Sequence, residues 1–71
     1  MDTYRYCAIG PHGRVHEARE IECKSLEEAR VVVRHILRTD PFWTAIELWR
    51  DGRRVHVEFS ENTTADAHQE G

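Results

Sequence analysis

The sequence lacks the features that define several large classes of protein. No apolar run approaches the roughly 20 residues of a membrane-spanning helix, which argues against an α-helical membrane protein. The amino-terminal segment carries Arg5 and has no apolar core of the kind a secretory signal needs. Two cysteines are too few for a disulfide-rich secreted scaffold, and 71 residues leave no room for a second domain. We therefore expect one small cytoplasmic domain with no membrane partner.

The two cysteines do not form a pattern typical of a disulfide or a metal site. In a reducing cytoplasm Cys7 and Cys23 are expected to remain thiols. With His12 and His16 they give the spacing C-x4-H-x3-H-x6-C, which lacks the closely spaced cysteine pair of structural zinc sites. We therefore expect free thiols and surface histidines, with no metal ion and no other cofactor.

The chain has little excess charge of either sign. Ten basic and thirteen acidic residues give a formal net charge of -3. The acids Glu61, Asp66 and Glu70 lie in a carboxyl-terminal stretch without Lys or Arg, so residues 1–59 are neutral overall. Because a duplex-DNA binder usually has a basic excess to neutralise phosphates, this composition disfavours that class.

The first half of the chain predicts a hairpin followed by a helix. Residues 3–9 and 14–22 form strand patterns, and residues 10–13 (GPHG) predict a three-residue loop that pairs Ile9 with Val15 and Tyr6 with Ala18. Ser25 and Glu28 form a capping box that predicts a helix start, and Asp40-Pro41 predicts its end. Its apolar positions at helical spacing are Leu26, Ala29, Val33, Ile36 and Leu37.

The second half predicts another hairpin, centred on the turn Asp51-Gly52. A two-residue loop without irregularity gives two sets of cross-strand pairs. One face pairs Leu48 with Val55, Ile46 with Val57 and Thr44 with Phe59. The other face pairs Trp49 with Arg54, Glu47 with His56 and Ala45 with Glu58.

Together these elements predict an α+β fold of ββαββ order, with a four-stranded, mostly antiparallel sheet and one helix packed on one face. Residues 1–59 form the single domain. Residues 60–71 contain no large apolar side chain and predict a disordered carboxyl-terminal tail.

One helix covers only one face of such a sheet, so the other face is the candidate site. The regular register turns Ile46, Leu48, Val55, Val57 and Phe59 toward the helix and leaves Glu47, Trp49, Arg54 and His56 uncovered. The first hairpin contributes either Tyr4, Tyr6 and Ala8 or Arg5, Cys7 and Ile9 to the uncovered face, and periodicity does not choose between them. The candidate interaction residues are Tyr4, Tyr6, Trp49, Arg53, Arg54 and His56.

Three interpretations of an uncovered aromatic face remain open. The favoured one is self-association, because a second copy supplies the core that a small domain lacks. The alternative is a weak binder of single-stranded nucleic acid or another anionic ligand, with aromatic rings under bases and Arg53 and Arg54 nearby. In the third, Trp49 lies over Arg54 as a cross-strand cation–π pair in solvent.

No catalytic arrangement is recognisable. Glu47 opposite His56 is expected to be a cross-strand ion pair, since neither a nucleophile nor a pocket is predicted beside it. Arg30, Arg34 and Arg38 form a stripe typical of solvated side chains, although with Arg53 and Arg54 they offer an anion-binding patch. The loop 10–13 is followed by neither a Lys-Ser/Thr pair nor a helix, so it is not a phosphate loop. We therefore do not expect an enzyme.

The second hairpin resembles a pattern found in small bacterial proteins to which no activity is assigned. The residues that carry the resemblance are Ile46-Glu47-Leu48-Trp49 and Asp51-Gly52-Arg53-Arg54-Val55. In that pattern a Tyr-rich strand and a Gly-containing turn precede an acidic-capped helix, which is matched by Tyr4, Tyr6, Gly10, Gly13, Glu27, Glu28 and Ala29. The resemblance covers most of residues 3–59, without residues 41–43 and the tail. It implies a ββαββ domain and no active-site residue.

Overall fold

The computed structural model of the protein describes residues 1–61. Its elements are β1 (Asp2–Ile9), a 3-10 turn (Pro11–Gly13), β2 (Val15–Cys23), α1 (Leu26–Thr39), β3 (Ala45–Arg50) and β4 (Arg53–Phe59). The predicted tail lies outside the described residues except for Ser60 and Glu61. Ser60 is buried, and its backbone N–H donates to the Thr44 carbonyl at 3.0 Å.

The four strands form one sheet in the order β2-β1-β3-β4, and each neighbouring pair is antiparallel. The α+β fold of ββαββ order is therefore confirmed. The first strand of each hairpin lies in the centre of the sheet, and the second strand of each lies at an edge. Within the described residues, no helix is long and apolar enough to cross a membrane.

The first hairpin closes on a loop of three residues, as the sequence predicts. The Gly10 backbone N–H donates to the Arg14 carbonyl at 2.8 Å, and both His12 and Gly13 adopt positive φ angles, 67° and 72°. Ile9 lies opposite Val15, but a β-bulge next to this pair leaves His16 without a partner position. Tyr6 consequently lies opposite Arg19 rather than Ala18, so that predicted pair is wrong.

The second hairpin departs from the predicted register for the same kind of reason. Trp49 lies opposite Arg54 as predicted, and a β-bulge then inserts Val55 into β4. Beyond the bulge every partner moves by one residue, because two residues of β4 oppose one residue of β3. The observed pairs are Leu48 with His56, Glu47 with Val57, Ile46 with Glu58 and Ala45 with Phe59.

Helix α1 begins and ends where the sequence predicts. The Ser25 hydroxyl accepts a hydrogen bond from the Glu28 backbone N–H at 3.2 Å, and the Glu28 carboxylate accepts one from the Lys24 backbone N–H at 3.1 Å. These contacts satisfy two backbone donors near the amino end of the helix. At the other end the chain leaves the helix at Asp40, directly before Pro41.

The core lies between α1 and one face of the sheet. Tyr4, Tyr6 and Ala8 of β1 point into it, which resolves the alternative that periodicity left open for the first hairpin. The same cluster contains Cys23, Ala29, Val33, Leu37, Ile46 and Leu48. Strand β4 contributes no residue to this cluster, because the bulge turns Val57 and Phe59 to the opposite face.

Candidate interaction surface

The uncovered face of the sheet carries an apolar row that crosses all four strands. Because paired residues of antiparallel strands share a face, the register places Val15, Ile9, Ala45 and Phe59 side by side. We call these four residues the apolar row. Phe59 and Val15 form its ends and are 59% and 56% exposed, whereas Ile9 is half-buried and Ala45 is only 5% exposed. The accessible apolar surface of the row therefore comes mainly from its two ends, and exposed apolar side chains on a sheet face mark a candidate interaction surface.

The next row along the strands is mixed in character. It consists of Ala18, Cys7, Glu47 and Val57, in the order β2, β1, β3, β4. Cys7 and Val57 are half-buried and border the apolar row. Cys7 on β1 and Val57 on β4 therefore extend the apolar surface by one row at these two strands.

A third row is charged and centres on Trp49. Its members are Glu20, Arg5, Trp49 and Arg54, so Trp49 has an arginine opposite it on each neighbouring strand. A shallow depression of about 530 Å³ opens here, bordered by Glu20, Arg5 and Trp49 of this row and by the turn Asp51-Gly52.

Glu47 fixes the orientation of Trp49 and Arg54. The Trp49 indole N–H donates to Glu47 Oε1 at 3.2 Å, and Arg54 donates to Glu47 Oε2 at 3.1 Å. Each carboxylate oxygen thus has a donor, and the Glu47 side chain is only 19% exposed although no helix covers it. We call Glu47, Trp49 and Arg54 the Trp49 cluster. Trp and Arg side chains whose orientation is fixed by hydrogen bonds are typical binding hot spots, because they lose little conformational freedom on association.

Of the six predicted interaction residues, only Trp49 and Arg54 lie together on this face. Tyr4 and Tyr6 are 2% and 6% exposed and belong to the core, so their place on the candidate surface is corrected. Arg53 is exposed and lies opposite Arg50 beside the turn. His56 faces the helix side of the sheet as the partner of Leu48, and its Nε2 lies 2.7 Å from Glu58.

The predicted pairing of Glu47 with His56 is therefore wrong. The bulge places Val57 opposite Glu47 and turns His56 toward the helix. Each of the two carboxylates then has its own partners, Arg54 and Trp49 for Glu47, and His56 and Arg34 for Glu58.

The arginine stripe of the helix carries no unbalanced charge. Each of its members lies beside a carboxylate, and Arg54 lies on the other face of the sheet. The pairs are Arg30 with Glu27 at 3.0 Å, Arg34 with Glu58 at 3.6 Å and Arg38 with Glu61 at 3.9 Å. These neighbours weaken the case for an anion-binding patch built on the stripe.

The four residues considered for zinc do not converge. Cys7 is half-buried on the uncovered face, whereas Cys23 is buried in the core on the helix side, and both are free. His16 packs its ring against Phe42, with ring centroids 5.1 Å apart. Within residues 1–61 no group of three or more His, Cys, Asp and Glu side chains is arranged to hold a metal ion.

Sequence reasoning missed most of the apolar surface. A regular register of the second hairpin predicts Val57 and Phe59 in the core, and the pattern of β1 leaves Ile9 as one of two alternatives for the uncovered face. The signal for Ile9 is Arg5 on the same face of β1, because a charged side chain disfavours burial of that face. No sequence signal marks the bulge at Val55, so the exposure of Val57 and Phe59 could not be derived.

No protein-family model, no curated protein and no solved structure matches the chain. The resemblance of the second hairpin to small bacterial proteins therefore stays a prediction.

Proposed function

We propose that this protein is a small interaction module that forms a symmetric homodimer through the uncovered face of its sheet. The observation that carries the proposal is the apolar row, Val15, Ile9, Ala45 and Phe59, next to the Trp49 cluster. A second copy is the occupant we favour, because a symmetric partner presents the same mixture of apolar and oppositely charged side chains. We place the module in the bacterial cytoplasm, where Cys7 and Cys23 remain thiols.

The charge of the face supports a protein partner over a polyanion. Arg5 and Arg54 lie in the same row as Glu20, and the Glu47 carboxylate accepts a hydrogen bond from Arg54. Positive charge is thus balanced locally, whereas a nucleic-acid surface presents an excess of it. Binding of single-stranded nucleic acid is the weaker second candidate, and it rests on Trp49 between two arginines.

The test is the molar mass in solution, measured by light scattering over a concentration series. We expect a mass that rises from one chain toward two chains as the concentration increases. Phe59→Glu places a charge at the edge of the apolar row, and we expect it to weaken the dimer by on the order of 100-fold, because burial of an unpaired carboxylate is costly.

Val31→Glu is the matched control. Val31 is 60% exposed and lies on α1, away from the uncovered face, and Phe59 is 59% exposed. The control variant should dimerise like the unmodified protein, and circular dichroism should show that both variants fold. A monomeric unmodified protein at every accessible concentration would refute the proposal, as would equal dimerisation of the two variants.

A further inference from the structure

We infer that the two sheets of the dimer pack with their two-fold axis parallel to the strands, between β1 and β3. This inference rests on the proposed function and specifies the geometry of that interface. In this geometry the third row, Glu20, Arg5, Trp49 and Arg54, selects the orientation of the partner. The partner is a second copy of this chain, and the recognition is electrostatic as well as apolar.

The order of residues along each row carries the inference. A two-fold axis parallel to the strands places β2 over β4 of the partner and β1 over β3 of the partner, and it keeps each row over the same row. In the apolar row, Val15 then faces the partner's Phe59, and Ile9 faces the partner's Ala45. The exposed side chains of Val15 and Phe59 and the accessible part of Ile9 are then covered by apolar neighbours, which is favourable.

The same operation brings opposite charges together in the third row. Glu20 at the β2 edge faces the partner's Arg54 at the β4 edge. Arg5 faces the partner's Trp49, whose ring can accept a cation on its face. Each contact occurs twice because the interface is symmetric. The Glu47 carboxylate can be covered at low cost, because both of its oxygens already accept hydrogen bonds within the chain.

The alternative axis, in the plane of the face but perpendicular to the strands, gives a poor interface. This axis places each strand over the same strand of the partner, but it places the apolar row over the partner's third row. Phe59 would then lie over the partner's Arg54, and Ile9 over the partner's Arg5. Charged groups would lose water without gaining a partner, and the apolar row would lose apolar contact. The pattern of the face therefore selects one orientation.

The experiment uses two single charge reversals, Glu20→Arg and Arg54→Glu. In the proposed orientation each variant alone forms a homodimer with like charges opposed at both edges. We expect each to dimerise on the order of tenfold more weakly than the unmodified protein. When the two variants are mixed, the heterodimer opposes opposite charges at both edges, so it should form in preference to either homodimer. Native mass spectrometry reports the three species directly.

The control is Glu61→Arg, which makes the same charge change beside Arg38 and away from the uncovered face. Its dimerisation should remain within about twofold of the unmodified protein, since surface ion pairs contribute little. If both reversals leave the homodimer intact, or if the mixture shows no preference for the heterodimer, the orientation is wrong. The proposed function fails separately, when the unmodified protein does not dimerise.

Discussion

Tyr6 shows how one residue lies at the boundary between core and solvent. Its ring is buried, and its hydroxyl donates to Glu17 Oε2 at 2.9 Å, while Arg19 donates to the same oxygen at 2.8 Å. Burial, and then the hydrogen bond and negative charge of Glu17, raise the pKa of Tyr6 above its ordinary value. The phenol thus favours its neutral form in the folded protein.

The raised pKa of Tyr6 predicts a loss of stability at alkaline pH. Above its ordinary value of 10.0 the unfolded chain releases this proton while the folded chain retains it, so the free energy of unfolding decreases as pH rises. Below that pH the contribution is fully present. We expect Tyr6→Phe to reduce the free energy of unfolding at pH 8 by about 0.5–1.5 kcal/mol, through loss of the hydrogen bond.

The same substitution should make the decrease above pH 10 shallower. Urea titrations of both proteins at pH 8 and at about pH 10.5 provide the comparison. Burial also raises the pKa of the Cys23 thiol, but this group is present in both proteins and its contribution cancels. Parallel decreases in the two proteins would contradict the assignment to Tyr6.

At the scale of single elements, α1 depends on its amino-terminal cap. We expect Ser25→Ala to lower the free energy of unfolding by about 1 kcal/mol, because the Glu28 backbone N–H loses its acceptor. Ser25→Asp restores an acceptor and adds a negative charge at the positive end of the helix dipole, so it should recover most of the loss. Chemical denaturation of the three proteins measures the effect. Equal stability of the Ala and Asp variants would exclude capping as the cause.

The helix and the strands could be predicted from the sequence because their determinants are local. Ser25, Glu28 and Asp40-Pro41 specify the helix ends through neighbouring backbone, and Asp51-Gly52 specifies the turn. The register of β4 depends instead on the bulge at Val55, which no single residue type demands. Since side chains alternate with period two, this one inserted residue moved Val57 and Phe59 to the other face and His56 toward the helix.

At the scale of the whole molecule, Cys7 is an internal reporter of the proposed dimer. It lies on the uncovered face and is half-buried in the single chain, whereas Cys23 is 2% exposed. A maleimide should therefore modify Cys7 faster than Cys23 in dilute protein. As the protein concentration rises, the partner's sheet covers Cys7, and its modification rate should decrease in proportion to the dimer fraction.

Peptide mass spectrometry at several protein concentrations measures both rates, and Cys23 is the reference within the same chain. The Phe59→Glu variant should show the same decrease at Cys7 only at concentrations on the order of 100-fold higher. A Cys7 rate that stays constant while light scattering records dimers would show that the dimer uses another surface.

The strand order β2-β1-β3-β4 also governs how the chain reaches its fold. Of the four strands β1 is synthesised first, yet it lies in the middle of the sheet. One of its two neighbours is β3, which follows α1 in the sequence. The Thr44 backbone N–H donates to the Ile9 carbonyl at 2.8 Å, at the end of the β1–β3 pairing. The first hairpin and the helix together therefore form an incomplete sheet with one side of β1 unpaired. Because the pairing of β1 with β3 joins residues that are far apart in the sequence, such as Arg5 and Trp49, cooperative folding must wait for the second hairpin to leave the ribosome.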